Sequence, residues 1–279
     1  MKKYLQLIRI KHWIKNILIF IPVVCGGILT VNNFLIILLG FLVFSFASSF
    51  IYIINDIKDI ELDLLHNRKK ERPLAKGIIK KRNAMVLALI MLIVSLVINY
   101  VITGSIFNLS NYILIAYIII NILYSFYFKK IVIVDVLLLS LGFVLRVYYG
   151  ASLMNVVVSE YLFLTIFNAS LFLSLGKRKK ELVSDVMVRP SLKNYDKKFL
   201  DNFQNVTLSL FLIFYSMWAK EQVNTLMIYT IIFVVVIFMR YCLLIESRDE
   251  GDPTVVFYAD KILMLLCFLY GVFMLLILI

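Results

Sequence analysis

Asn55, Asp56, Asp59 and Asp63, at the end of a long apolar stretch, are the side chains best suited by type and spacing to do chemistry. They read Asn-Asp-x-x-Asp-x-x-x-Asp. On a helix, steps of three and seven residues bring the three carboxylates within an arc of about 60°, with Asn55 on its flank. Acids crowded on one face repel each other and destabilise a bare helix. A divalent cation removes that repulsion, and an all-oxygen donor set suits Mg2+, which keeps water ligands and bridges to phosphate oxygens. The pattern therefore predicts a Mg2+-diphosphate site at a membrane edge, with Asp56, Asp59 and Asp63 as metal ligands. The plainer alternative is a solvated helix end with scattered acids. It leaves unexplained why acids cluster inside so basic a segment.

The elements that must position these residues are membrane spans. Of 279 residues 62% are hydrophobic, and the mean hydropathy is +0.95. Apolar runs of about 20 residues recur along the chain, as transmembrane helices require. The fold class expected is an all-α polytopic membrane protein of nine transmembrane helices, near 14–31, 34–55, 84–103, 111–128, 131–153, 160–176, 203–219, 223–245 and 260–279. Strand-like alternation is absent, which argues against a β-barrel. Only four prolines and ten glycines interrupt the runs. No cleavable leader is expected, because the basic start before the first apolar run lacks a small-residue cleavage pattern.

The charge distribution orients the spans. Five Lys or Arg fall in 1–15, nine in 56–83, two at 129–130, eight in 177–198 and two in 246–261, which is 26 of the 29. Placing the N-terminus in the cytoplasm puts all of these on one side, as the positive-inside rule expects of an inner or plasma membrane protein. The formal net charge of +12 is thus concentrated on one face. Such a face attracts anionic lipid and phosphorylated substrates. Nucleic acid is excluded as a partner, since no soluble domain is present to read it. The long loops 56–83 and 177–202 are cytoplasmic in this arrangement and are the expected active-site loops of a single catalytic domain over 1–279. A homo-oligomer is compatible with this layout. Cys25, Cys242 and Cys267 sit in apolar stretches and read as small packing residues, and His12 and His66 form no metal cluster.

Beyond the aspartates, Arg68, Lys69, Arg72 and Lys76 could grip phosphate oxygens, Arg68 and Arg72 through bidentate geometry. Lys70, Lys80 and Lys81, with Lys69, are ordinary decoration of a cytoplasmic loop. Lys129 begins the next basic turn. Tyr124 and Tyr127 end the fourth span, where a belt of aromatics is common. Asp135 and Arg146 fall inside the fifth span, where ionisable residues usually face a cavity. Eleven residues apart, they share a face but lie about 16 Å apart along the axis, too far to pair directly. Arg240, near the inner end of the eighth span, is placed to snorkel.

Asn55-Asp56-x-x-Asp59-x-x-x-Asp63 followed by Arg72-Pro73-Leu74-x-x-Gly77 resembles the first signature of the UbiA superfamily of intramembrane prenyltransferases. The resemblance implies a nine-helix bundle around a central cavity and two cytoplasmic aspartate-rich motifs holding diphosphate through Mg2+. The second motif departs from that pattern. The loop after span six reads Gly176-Lys177-Arg178-Lys179-Lys180-Glu181-Leu182-Val183-Ser184-Asp185, basic where the aromatic prenyltransferases are acidic. Asp185 and Asp196 are too far apart to form it.

Gly176-Lys177-Arg178-x-x-Glu181-Leu182 with Ser191-Leu192-x-x-Tyr195 is similar instead to one branch, the decaprenyl-phosphate phosphoribosyltransferases. So are Arg9-x-Lys11-His12-Trp13-x-Lys15-Asn16, Val134-Asp135-Val136 with Gly142-Phe143-x-x-Arg146-x-x-x-Gly150, and Arg240-Tyr241. That branch implies transfer of 5-phosphoribose from phosphoribosyl diphosphate to a polyprenyl phosphate, for lipid-linked pentose and cell-surface glycan synthesis. The alternative is a prenyl-diphosphate-dependent aromatic prenyltransferase of the same superfamily. In the favoured reading Asp56, Asp59, Asp63 and Arg72 are catalytic. The basic second loop suits a second anionic end of the donor, through Lys177 and Arg178, with Tyr195 as hydrogen-bond donor and Glu181 orienting Lys177. Lys15, Arg72 or Arg146 would meet the acceptor phosphate. Asn55, Arg68, Tyr124, Lys129 and Asp135 complete the expected substrate contacts.

Overall fold

A computed structural model of the chain describes residues 2–65, 69–183, 190–247 and 251–278. Every element among the described residues is helical. The chain divides into two compact units, one of residues 1–23, 30–129 and 145–156, the other of 24–29, 130–144 and 157–279.

The first unit opens with α1 (Lys2–Leu7), a 3-10 helix (Ile10–Phe20) and the start of α2 (Ile21–Cys25). It continues with α3 (Val31–Lys58), α4 (Ile60–Leu64), α5 (Lys81–Thr103) and α6 (Leu109–Phe126), and takes in the second half of α7 (Val134–Met154). The 28 residues of α3 span about 42 Å, more than the ~30 Å hydrocarbon layer. Its last turn, which carries Asn55 and Asp56, therefore reaches past the apolar core. Thr30 caps its start by accepting from the Asn33 amide at 3.2 Å. Gly104, with φ +64°, ends α5 by sending its N–H back to the Tyr100 carbonyl. Ala84 and Ala88, one turn apart on α5, are fully buried, and α5 packs along α3. Small residues at such a seam let membrane helices approach closely.

The 3-10 helix runs for 11 residues, long for a form seldom sustained beyond three or four. A row of partners on α3 accounts for it. Trp13 Nε1 donates to Ser49 Oγ and Asn16 Nδ2 to Ser45 Oγ, each at 3.0 Å, while His12 packs on the Tyr52 ring. Ser45, Ser49 and Tyr52 lie on one face of an α-helix, and the three-residue period of the 3-10 form keeps Trp13 and Asn16 eclipsed towards it.

The second unit holds the first half of α7, then α8 (Glu160–Val183), a 3-10 turn (Pro190–Asn194), α9 (Lys197–Glu221), a 3-10 turn (Thr225–Tyr229), α10 (Thr230–Ser247), α11 (Pro253–Ala259) and α12 (Lys261–Leu278). One of its cores gathers Phe172, Tyr241, Leu244, Ile245, Val256 and Leu263, and another Val136, Leu175, Leu192, Tyr195 and Leu200.

Among the described residues, six helices are long and apolar enough to cross a membrane: Val31–Lys58, Lys81–Thr103, Leu109–Phe126, Val134–Met154, Thr225–Ser247 and Lys261–Leu278. They match six of the nine expected spans. The expected span 14–31 falls on the 3-10 helix and the five-residue α2 rather than on one long helix. The spans 160–176 and 203–219 lie within α8 and α9, whose mean hydropathy is lowered by charged residues towards their ends, Lys177–Lys180 and Lys197–Lys198 among them, and by polar residues such as Asn168 and Gln204.

Gly150 on α7 is required by a close approach: a Cβ built there would lie 2.0 Å from the Ile19 carbonyl oxygen. Gly150→Ala is expected to destabilise the protein by about 1–3 kcal/mol, read as a lower melting temperature in detergent. Gly271→Ala, inside α12 and with no atom within 4 Å of the added Cβ, should leave the melting temperature the same or raise it.

Candidate active site

The acidic signature does not lie on one uninterrupted helix. α3 ends at Lys58, Asp59 leaves helical geometry with φ −93° and ψ 13°, and α4 resumes at Ile60. The break is mild, because the Asp59 amide still donates to the Asn55 carbonyl at 2.9 Å and the Asp63 amide to the Asp59 carbonyl at 2.8 Å. Its effect is to turn Asp59 away from its neighbours. Asp56 and Asp63 face the same cation, while Asp59 faces another.

That shared cation is Arg72. Its Nη1 lies 2.9 Å from Asp56 Oδ1 and 2.7 Å from Asp63 Oδ2. The turn that presents Arg72 follows from Arg72-Pro73-Leu74-x-x-Gly77. Lys76 N–H returns to the Arg72 carbonyl and Ile78 N–H to that of Pro73, while Gly77 takes φ +68°, the left-handed conformation that glycine adopts freely. Leu74 anchors the turn by burial. Asp56 and Asp63 are only 3% and 4% exposed. Burial, its largest influence, lifts the Asp63 carboxyl above the ordinary carboxylate range despite the pull of Arg72.

Two more cations complete the cluster. Lys129 Nζ meets both carboxylate oxygens of Asp59, at 2.6 and 2.8 Å. Arg9 Nη2 donates to the same Oδ1 of Asp56 that Arg72 holds, and its guanidinium stacks 4.9 Å from the Tyr52 ring. Burial, the largest single influence, disfavours the Arg9 charge, but Asp56, Tyr52 and Asp63 together more than offset it and raise its pKa. Arg9 sits at φ +52°, rare for a residue with a side chain, at the start of the 3-10 helix.

Among the described residues no three His, Cys, Asp or Glu side chains converge as a ready-made metal site. The chemistry of the donors nevertheless fits a hard divalent ion. Asp56 and Asp63 supply carboxylate oxygens, and one positively charged atom already bridges them.

Deeper in the same unit, Arg146 is 5% exposed. Its Nε donates to Asn16 Oδ1 at 2.7 Å and its Nη2 to the Tyr117 hydroxyl at 2.9 Å, and its guanidinium lies over the Phe44 and Tyr117 rings. Asn16 thus ties the 3-10 helix to both α3 and α7. Lys15, Asn55 and Tyr124 are half-buried in this unit. Arg68 lies outside the described residues, as do His66 and Asp185.

The second unit gathers the other expected residues in a different way. Arg178 and Asp135 are both fully buried, with Arg178 Nε 2.6 Å from Asp135 Oδ2. Tyr195 donates its hydroxyl to Asp135 Oδ1 at 2.6 Å and accepts the Ile133 amide at 2.8 Å. Ile133, β-branched and at φ +69°, is a strained position held by that bond. Burial first, and then the bond to Asp135, pushes the Tyr195 hydroxyl pKa well up, so it remains a neutral donor. Glu181 was expected to orient Lys177; the partner observed for it is Arg178, three residues away. Lys177 reaches Asp252 at 2.8 Å. A Cβ on Gly251 would press on Lys180 and on the Lys177 carbonyl, which explains glycine there. Arg240, expected to snorkel, pairs with Asp260 at 2.7 Å. Asp135 and Arg146, expected on one face, serve separate networks in different units.

The cluster therefore includes one residue, Arg9, that spacing alone did not single out as a site member. The signal was present in Arg9-x-Lys11-His12-Trp13-x-Lys15-Asn16, but the motif does not say which cation turns inwards.

An all-helical integral membrane protein, with carboxylates at the end of one span held by Arg9, Arg72 and Lys129, defines the class. Comparison with known proteins places it within that class. A profile of the UbiA prenyltransferase family matches residues 18–277, and the chain belongs to that family of transferases. Among curated relatives, the decaprenyl-phosphate phosphoribosyltransferase of Mycolicibacterium smegmatis is 28% identical, over 94% of this chain and 88% of its own length. That of Corynebacterium glutamicum is 27% identical, over 94% and 82%. Among solved structures, a UbiA homolog from Archaeoglobus fulgidus bound to GPP and Mg2+ superposes with a TM-score of 0.71 at 21% identity, covering 98% of this chain and 99% of that one. A digeranylgeranylglyceryl phosphate synthase superposes with a TM-score of 0.65 at 22% identity, covering 99% and 98%.

Tyr195→Phe removes the acceptor of the Ile133 amide and one donor to buried Asp135. A loss of about 1–3 kcal/mol is expected, seen as a lower melting temperature. Tyr127→Phe, at an exposed site, should leave it unchanged.

Proposed function

We propose that the chain transfers 5-phosphoribose from phosphoribosyl diphosphate to a polyprenyl phosphate and releases diphosphate. The observation that carries this reading is the shared name of four curated relatives, decaprenyl-phosphate phosphoribosyltransferase, at 26–28% identity over 93–94% of the chain. The basic run Lys177–Lys180 supports it, since a donor with two anionic ends needs cations beyond its diphosphate site. The reading treats residues 1–279 as one catalytic domain, with the N-terminus and the loops 56–83 and 177–202 in the cytoplasm, as the one-sided Lys and Arg distribution indicates. The product would serve lipid-linked pentose and cell-surface glycan synthesis.

In this reading Asp56, Asp63 and Asp59 would hold Mg2+. When bound, the ion neutralises charge on the leaving diphosphate. Arg72, Arg9 and Lys129 hold oxygens of the same group, the arginines through two N–H donors each. Asn55 flanks the acids. The 5-phosphate and the acceptor phosphate call for cations of their own, and Lys15, Arg146 and Lys177 are the candidates. The bond between the anomeric carbon and the diphosphate oxygen breaks with its electron pair leaving on the diphosphate, and the carbon gains oxocarbenium character. An oxygen of the polyprenyl phosphate forms the new bond. That oxygen is already ionised at neutral pH, so no side chain needs to act as a general base. Fixed charges aimed at the leaving group supply most of the rate enhancement.

The test uses purified protein in detergent with Mg2+ and a polyprenyl phosphate. Labelled phosphoribosyl diphosphate is compared with a labelled prenyl diphosphate plus an aromatic acceptor. Label from phosphoribosyl diphosphate is expected in the lipid product, with release of diphosphate. Asp56→Asn and Asp59→Asn should each lower turnover by at least about a hundredfold while helical content by circular dichroism is retained. Label moving only from the prenyl diphosphate would replace this reading with an aromatic prenyltransferase.

A further inference from the structure

The three signature carboxylates are matched by three protein cations. Arg72 bridges Asp56 and Asp63, Arg9 shares the same oxygen of Asp56, and Lys129 holds both oxygens of Asp59. These six side chains are formally neutral as a set. We propose that Arg72 and Arg9 are resident counter-ions, which leave the carboxylates only when a divalent cation and a diphosphate bind together. The two ligands then bind with strong mutual dependence, and each alone binds weakly. The proposal rests on the reading of this cluster as a metal-diphosphate site and adds how that site is filled.

The argument is one of charge and position. Arg72 Nη1 occupies the point from which a cation reaches both Asp56 and Asp63, so metal binding requires the guanidinium to move. Released into a partly desolvated site without a counter-anion, the guanidinium carries an uncompensated desolvation cost. A diphosphate arriving alone would set its negative charge beside three carboxylates. With both ligands present, the carboxylates turn to the metal and the guanidiniums turn to phosphate oxygens, whose geometry matches their paired donors. No charge is then left unpaired. Arg9 and Arg72 both approach Oδ1 of Asp56, so the two guanidiniums crowd one anion, and a second anion nearby relieves them. Tyr52 keeps Arg9 close when it leaves Asp56, through the stacking already present. The coupling is reciprocal by thermodynamic necessity: whatever factor diphosphate adds to metal affinity, metal adds to diphosphate affinity.

The test is equilibrium dialysis of the full chain in detergent against radiolabelled Mn2+, with and without inorganic pyrophosphate, which is itself labelled in a parallel run. It reads binding, with no turnover. Wild-type protein is expected to retain Mn2+ about tenfold more tightly when pyrophosphate is present. Arg72→Gln, which removes a competing charge, is expected to bind Mn2+ alone about tenfold more tightly than wild type and to show a smaller gain from pyrophosphate. Should Arg72→Gln fail to fold by its melting curve, Arg9→Gln reads the same competition in the same direction. Wild-type binding of Mn2+ that ignores pyrophosphate, together with unchanged or weaker Mn2+ binding in the folded arginine variant, would overturn the exchange and leave the metal-diphosphate site standing. If none of the proteins retains Mn2+ under either condition, both the exchange and the site assignment fall. The same holds if retention survives Asp56→Asn unchanged.

Discussion

Buried charge at a membrane edge must be paired, and this one constraint organises both units. An unpaired carboxylate or guanidinium taken out of water costs several kcal/mol. The chain buries Asp56, Asp63, Asp135, Arg146 and Arg178 all the same. The acids are met by cations from distant positions in the chain: Asp56 by Arg9 and Arg72, Asp59 by Lys129, Asp135 by Arg178 and Asp260 by Arg240. Arg146 is held by amide, hydroxyl and aromatic faces. Because each partner comes from a different element, the pairs fix how helices and turns meet as well as neutralising charge.

The two networks do different work. In the first unit the cluster joins the end of α3 and α4 to Arg9, Arg72 and Lys129, whose side chains are all partly exposed or at the edge of exposure. In the second, Asp135, Arg178 and Tyr195 are locked into one another and into the strained backbone at Ile133. A fully enclosed Arg178 holds structure in place, whereas Arg72, a quarter exposed, remains within reach of a ligand.

Much of this was legible from residue types and spacing. The acid signature follows from residue spacing and six of the spans from hydropathy, which report local properties that survive without tertiary context. What spacing could not deliver was direction. Asp59 was expected to share a face with Asp56 and Asp63, but a break of one residue turns it to Lys129. Glu181 was expected to serve Lys177 at i,i+4, yet Arg178 at i,i+3 takes it. Arg9 looked like one more cation on a basic arm, and only its left-handed backbone angle swings it onto Asp56. The first expected span dissolves into a 3-10 helix and a short α2, because its polar side chains follow a row of serines on α3.

The sequence by itself determined that the chain is helical, lies in a membrane, and carries an oxygen-rich cluster surrounded by positive charge. Hydropathy and charge are properties of composition and order, and no folding is needed to read them. The tertiary structure alone decided which cation meets which carboxylate, and that Arg178 and Asp135 are sealed together. It also decided that Gly150 must be bare, so that the backbone at Ile19 can lie against α7. Those choices depend on close approach between residues far apart in the chain, Ile19 and Gly150 among them, a property that no local pattern encodes.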